Sequence, residues 1–272
     1  LRRRRSLAMS SPGCSSPFTL RSWLAAGPYT LVMSSSFFGS PYHAGLLAAL
    51  LEAGLPPSAV AGSSSGALVA SLHAAGLSME EEYLGVLRRL AQSGVLRLAC
   101  PWEEPGGLFS LRHTTALLRE VVRDHKLPER LEECALPVSV STFDLKSLSV
   151  RTHRSGDLAA VVTASIAVPG FFCPAMLDGR PQLDGGVADM PGIAGVGKDA
   201  RVLYHHCTAF PLALTTLGGY ASSVTLQLAG LPLLTPFNLE KGEQAFHAAK
   251  AATLDALRSE LGPLRVAVRA RL

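Results

Sequence analysis

The chain has 272 residues, of which 48% are hydrophobic and 17% charged: enough apolar mass for a sizeable core, and a composition that argues against disorder. The formal net charge of +4 is matched by Arg2 to Arg5 alone, so the body has no basic excess and no nucleic-acid partner is expected. Five cysteines (Cys14, Cys100, Cys134, Cys173 and Cys207), odd in number, widely spaced and without a Cys-x-x-Cys, suggest neither a disulfide framework nor a zinc site. Free thiols in a reducing cytoplasm are the simplest reading.

Residues 1–28 are rich in Arg, Ser and Pro with little periodicity, and the chain opens on Leu rather than Met, as a fragment or an over-extended translation would. A poorly ordered tail is expected there, followed by one domain over 29–272. The stretch Leu7-Ala8-Met9 is too short for a signal peptide, and an organelle-type transit peptide is the alternative for an Arg- and Ser-rich segment without acids. Residues 29–33 read as a strand, 34–41 as a loop, and 42–53 as a helix with Leu46, Leu47, Leu50 and Leu51 on one face and Gly54 as its stop. Residues 58–61 have the small apolar pattern of a buried strand, and 67–75 read as a helix ended by Gly76. An amphipathic helix is expected over 79–92, acidic at its start and basic near its end, which suits the helix dipole. A loop at 101–107 and a second amphipathic helix at 114–125 follow. Strands at 137–143 and 147–152, a helix at 157–165, a strand at 201–207 and a helix at 240–261 complete the pattern. The uncharged run 207–239 holds Pro211, Pro232, Pro236 and Gly218-Gly219, so no clean window of about 20 apolar residues stands there to span a membrane. It reads instead as a buried or substrate-facing helical segment. The opening order of strand, helix, strand, helix predicts an α/β fold with a parallel sheet covered by helices.

Between the second strand and its helix stands Gly62-Ser63-Ser64-Ser65-Gly66. On its own, a Gly-x-Ser-x-Gly is often only a turn. Flanked by a strand and a helix, it has the context of a nucleophile elbow, with the Ser64 hydroxyl pushed clear of the backbone. Gly62 and Gly66 let the chain bend tightly. The helix behind offers free N–H groups to a developing oxyanion.

A second constellation runs through Thr163-Ala164-Ser165-Ile166-Ala167-Val168-Pro169-Gly170-Phe171-Phe172, the turn Asp178-Gly179, and Asp184-Gly185-Gly186. Asp184-Gly185 alone reads as an ordinary turn. Together with the elbow, these parts resemble the patatin-like phospholipase family over about residues 31–191. The resemblance implies a three-layer α/β/α sandwich with a mainly parallel central sheet. It also implies a lipid acyl hydrolase of phospholipase A or esterase type, working by a Ser–Asp dyad through an acyl-enzyme, with Ser64 as nucleophile and Asp184 as base. A serine hydroxyl needs an adjacent base to attack at neutral pH. Gly185 and Gly186 would let the chain around Asp184 approach the elbow.

The chain departs from the family at the loop after the first strand. Where the family has Gly-Gly-Gly-x-Arg-Gly, this chain has Ser35-Ser36-Phe37-Phe38-Gly39-Ser40, without the basic residue. Because an oxyanion hole needs backbone donors, Ser36, Phe37, Phe38 and Gly39, joined by Ser65 of the elbow, are its candidates, with the two aromatics lining an acyl pocket. The competing reading is that the two phenylalanines are core and the hole is broken.

Two rivals stand beside the dyad. One is a Ser-His-Asp esterase using His205 or His206, which follow Ser64 and Asp184 in the chain order of α/β-hydrolases but sit mid-strand. The other is a catalytically impaired lipid-binding or interaction module on the same fold. The sequence calls for no metal and no cofactor: it has no helical His–carboxylate pairing, calcium loop or Gly-x-Gly-x-x-Gly. The expected partner is a lipid or acyl-ester substrate, with cytoplasmic placement and peripheral membrane contact through 207–239 or 79–92, for each of which core packing is the alternative.

Overall fold

The computed structural model describes residues 18–93, 97–207, 217, 219–220, 222–229, 231, 234–235, 238–261 and 268–271. A mixed sheet organises them. Its parallel centre is β2 (Ala59–Ser63), β1 (Thr30–Met33), β7 (Arg201–His206), β8 (Ser222–Ala229) and β9 (Val268–Arg271), with β3 (Val138–Asp144) parallel to β2 on the other side. Three antiparallel strands finish the β3 end: β4 (Ser149–His153), β5 (Ala175–Leu177) and β6 (Arg180–Asp184), in the order β5-β6-β3-β2-β1-β7-β8-β9 with β4 also on β3. This is an α/β architecture with a mainly parallel centre.

Side chains along the central strands alternate between two cores, as a period of two demands. Leu31, Met33, Val60 and Leu203 join the large helical core, while Val32, Ala61, Val202 and Tyr204 face Ile193, Val196, Ala200 and Tyr220 on the other side. The helices are α1 (Leu20–Ala25), α2 (Ser40–Glu52), α3 (Ser65–Ala74), α4 (Glu81–Ser93), α5 (Leu111–Asp124), α6 (Leu158–Ser165) and α7 (Gly242–Ala256). α2 is buried through most of its length, which its near-continuous run of small and apolar residues permits. α5 and α6 start where Ser110 and Asp157 accept N–H bonds from His113 (3.1 Å) and Ala160 (2.7 Å).

Four differences from the sequence reading have local causes. The tail expected to run to residue 28 is helical from Leu20 to Ala25, because Thr19 and Ser22 form a capping box and Leu20, Trp23 and Leu24 are buried; residues 1–17 lie outside the described residues. The helix expected within 207–239 is strand β8 where it is described: Val224, Thr225 and Leu226 continue the sheet beside β7, and much of the rest of that run lies outside the described residues. The helix expected to reach residue 261 ends at Ala256. The hairpin β5–β6 was read only as an Asp-Gly turn. Asp178 (φ +50°) and Gly179 (φ +69°) make the left-handed two-residue loop that joins the strands.

Candidate active site

One strand brings the two halves of the site together. Along one edge of β3, Ser141 is paired with Ser63 at the end of β2, and the next residue, Thr142, is paired with Asp184 at the end of β6. Residues 120 apart in sequence therefore end side by side. The Ser64 hydroxyl donates to Asp184 Oδ2 at 2.6 Å. This meeting point lies at the carboxyl ends of the parallel strands, where open α/β sheets bind ligands.

Ser64 sits between β2 and α3 with φ +55° and ψ −124°, a conformation that costs a non-glycine residue about 1–3 kcal/mol. Its surroundings hold it there. Its N–H donates to Ser165 Oγ at 2.9 Å, and Ser165 donates to the Ser141 carbonyl at 2.8 Å. Gly66 packs against the Met33 carbonyl and Gly62 against Gly66, so a Cβ at either position would collide with backbone.

Asp184 is 3% exposed. Burial raises its carboxyl to about 6, against the opposing pull of its bonds from Ser64 and from the Gly186 N–H, which donates to Oδ1 at 2.7 Å. The carboxylate is therefore a far better base than a free one yet still ionised at neutral pH. Gly185 lies against the Ser141 carbonyl and Ser63 Oγ, and Gly186 against Ser35, both without room for a side chain.

The 35–39 loop divides its donors. Ser36 N–H donates to Ser65 Oγ at 3.1 Å, and Gly39 N–H to the Ser36 carbonyl at 2.8 Å. Among the described residues the N–H groups of Phe37 (φ +50°) and Phe38 carry no protein hydrogen bond, nor does that of Ser65 at the first turn of α3. Ser36 Oγ is 2.7 Å from Ser65 Oγ, which ties the loop to the elbow.

Above Ser64 opens an apolar cavity of about 150 Å³, walled by Phe37, Phe38, Ile166, Val168, Phe171 and Leu234. A second chamber of about 100 Å³ lies behind it, enclosed by Leu72, Tyr83, Leu118 and Val121. Leu68, Leu87, Thr114 and Ile166 border both.

His205 and His206 are buried in β7 and face other partners. His205 Nδ1 lies 2.8 Å from His43 Nδ1, and His43 Nε2 lies 2.9 Å from the Ser34 carbonyl. The pattern assigns His43 Nε2–H to Ser34 and His205 Nδ1–H to His43, leaving both rings neutral. Burial pushes His43 down to about 3 and His205 well below the ordinary imidazole range. His206 Nδ1 bonds the Tyr204 hydroxyl at 2.9 Å. Among the described residues no cluster of His, Cys, Asp or Glu is arranged to hold a metal, and no helix is long and apolar enough to cross a membrane.

Two residues with roles at the site went unassigned in the sequence. Ser165 orients the elbow, and its signal was its place inside the Ala-Ser motif. Asp189 is buried and accepts bonds from Ser141 Oγ (2.6 Å) and Ala194 N–H (2.9 Å), clamping the segment after Asp184 onto β3. Its signal was an Asp five residues beyond a site Asp.

Residues 31–196 match the sequence family described as patatin-like phospholipase. An uncharacterised NTE family protein of Mycobacterium tuberculosis is 34% identical over 163 residues, covering 59% of this chain and 44% of that protein. The neuropathy target esterase of Drosophila persimilis is 28% identical over 194 residues, 68% of this chain and 13% of that protein. The chain thus spans less than half the length of these relatives. Among solved structures, VipD from Legionella pneumophila aligns over 86% of this chain and 67% of its own, with 14% identity and a TM-score of 0.48.

Proposed function

The chain belongs to the patatin-like phospholipase family, and from that premise we propose that it is a lipid acyl hydrolase in which Ser64 is the nucleophile and Asp184 its general base. The observation that carries the reading is the 2.6 Å bond from Ser64 Oγ to a buried carboxylate at the floor of an apolar cavity. Ser64 Oγ attacks the ester carbonyl carbon as its proton passes to Asp184 Oδ2. The carbonyl π electrons move onto oxygen, and the resulting oxyanion is met by the N–H groups of Ser65, Phe37 and Phe38. Collapse expels the alcohol, which takes the proton from Asp184 and leaves an acyl-Ser64. Water then attacks with Asp184 again taking the proton, and Ser64 leaves with it as the fatty acid is released.

The acyl chain lies in the outer cavity and extends into the chamber behind it, whose walls match a hydrocarbon. Reading the loop this way makes Phe37 and Phe38 both donors and acyl wall. Ser36 and Gly39, expected as donors, instead fix the loop. No histidine is assigned a part, because His205 and His206 pair with His43 and Tyr204. The test is hydrolysis of p-nitrophenyl esters of graded acyl length by the wild type, Ser64→Ala and Asp184→Ala. Parallel loss of turnover in both variants supports the dyad. A folded wild type inactive on every ester would make the chain a binding module instead.

A further inference from the structure

We propose that the protein docks on electrically neutral lipid surfaces through an apolar collar around the mouth of its cavity, with Trp102 at the leading tip. The inference rests on the acyl hydrolase reading for its occupant, since the substrate of that site is held in lipid aggregates. Ten large hydrophobic residues are exposed among the described residues, and six of them fall on three segments that converge on the elbow: Phe37, Leu98, Trp102, Leu108, Val187 and Met190.

Named contacts join these segments. Residues 97–99 pair with 108–110, through Leu98 against Phe109 and the Ala99 N–H to the Leu108 carbonyl at 2.9 Å, so 100–107 forms the tip of a small projecting hairpin. Trp102 on that tip is 88% exposed. The hairpin is fixed to the cavity mouth by Phe109 N–H donating to the Phe171 carbonyl at 2.8 Å and by the Phe109 ring stacked 6.0 Å from Phe171. Phe171 in turn meets Phe37 edge-on at 5.3 Å. On the other flank, Ser35 N–H donates to the Met190 carbonyl at 2.7 Å, which sets Met190 and Val187 beside the same loop. The collar is thus continuous with the walls of the cavity that ends at Ser64. A lone exposed indole at the tip of a hairpin is suited to the boundary between headgroups and acyl chains.

Charge selects the kind of surface. The exposed charges on and beside these three segments are Arg97, Glu103 and Arg112, which sum to a single positive charge, while Glu104 and Asp189 are buried. Glu103 also pairs with Arg112 at 3.3 Å. Among the described residues no basic patch is present on the collar to prefer anionic lipid, so a zwitterionic bilayer fits it. This places contact away from α4, one of two candidate contact surfaces in the sequence, and favours the core-packing alternative there, because Tyr83, Leu84 and Val86 of that helix are buried in the core.

The molecule carries its own probe. Its two tryptophans are Trp102 and Trp23, and Trp23 is buried at 3% exposure, with its indole N–H donating to Ser222 Oγ at 3.2 Å and its ring beneath the Arg201 guanidinium. The experiment titrates the full chain with vesicles of ether-linked phosphatidylcholine, which cannot be hydrolysed, and follows tryptophan emission and co-sedimentation. The expected result is a blue shift of emission with co-sedimentation. The shift is lost in Trp102→Ser, and partition falls at least about tenfold in Trp102→Ser and Leu108→Ser. Turnover of a soluble acetyl ester is unchanged in both variants, which also shows that they fold. The proposal is overturned if wild-type emission stays fixed and the protein remains in the supernatant. It is equally overturned if binding needs phosphatidylglycerol and survives both substitutions, the result expected of the Arg2–Arg5 run. Absent turnover of the soluble ester would sink the acyl hydrolase reading while the vesicle titration still tests docking. Intact turnover without vesicle binding would sink docking alone.

Discussion

Replacing Asp184 by Asn separates the chemistry of the site from its cost. The buried carboxyl holds its proton to about 6 in the fold, against 3.8 for an ordinary aspartate, so its ionisation destabilises the native state by about 3 kcal/mol once both states are charged. The sign follows from the raised value. The contribution of this carboxyl to stability is fully present below about pH 4, where it is protonated folded or unfolded, and is lost as pH rises toward 6. Asn removes the charge and keeps both contacts, since its amide oxygen can accept from Gly186 N–H and its NH₂ can donate to Ser64 Oγ. The full recovery is an upper bound, and at about 2–4 °C per kcal/mol it raises Tm by about 6–12 °C at pH 8. The difference from wild type should shrink to about 0.5 kcal/mol by pH 4. Ester hydrolysis by the same variant should fall about 10²–10⁴-fold, the usual worth of a general base. Thermal melts by circular dichroism across pH 4–8, paired with ester assays, make the check. A variant less stable than wild type at pH 8, or one that keeps its activity within tenfold, would refute the reasoning.

Other consequences can be measured with the same material. The acid limb of kcat/KM should have an apparent pKa near 6, falling tenfold per pH unit below it, and should be absent from the residual activity of Asp184→Asn. Ser64→Gly relieves the positive φ while Ser64→Ala retains it, so Gly should be the more stable of the two by about 1 kcal/mol in urea unfolding although both are inactive. Val121→Phe fills the inner chamber and should depress decanoyl ester turnover at least tenfold relative to butyryl ester, at a stability cost of about 1–3 kcal/mol. Ser165→Ala leaves the Ser64 N–H without its partner, which should cost about 1–3 kcal/mol and lower kcat more than it raises KM.

How far the site could be read from the sequence depended on how local its causes were. The elbow was legible because strand, pentapeptide and helix are contiguous, and the glycines at 62 and 66 stand where backbone meets backbone. Asp184 was legible only through the family resemblance, since nothing local says that Thr142 of β3 will place it beside Ser64. The division of labour in the 35–39 loop was not legible at all. Whether Ser36 N–H is free depends on Ser65 Oγ, 29 residues later, and the two are brought together only by packing. Helix α1 was missed because the Arg and Ser composition around it outweighed a six-residue apolar element whose stability comes from docking. Strand β8 was missed for a related reason: prolines and glycines on either side masked a stretch whose partner, β7, lies earlier in the chain. The collar of exposed apolar residues was likewise invisible, because its members come from three segments that only the fold assembles.

The central claim is that Ser64 is the nucleophile activated by Asp184, and active-site labelling tests it most directly. The full chain is treated with a fluorophosphonate at pH 7.5, and the adduct is located by peptide mass spectrometry in the wild type, Ser64→Ala and Asp184→Asn. The account predicts one adduct, on Ser64, absent from Ser64→Ala and formed at least about a hundredfold more slowly in Asp184→Asn. An adduct on another residue, or undiminished labelling of Ser64 in Asp184→Asn, would contradict it.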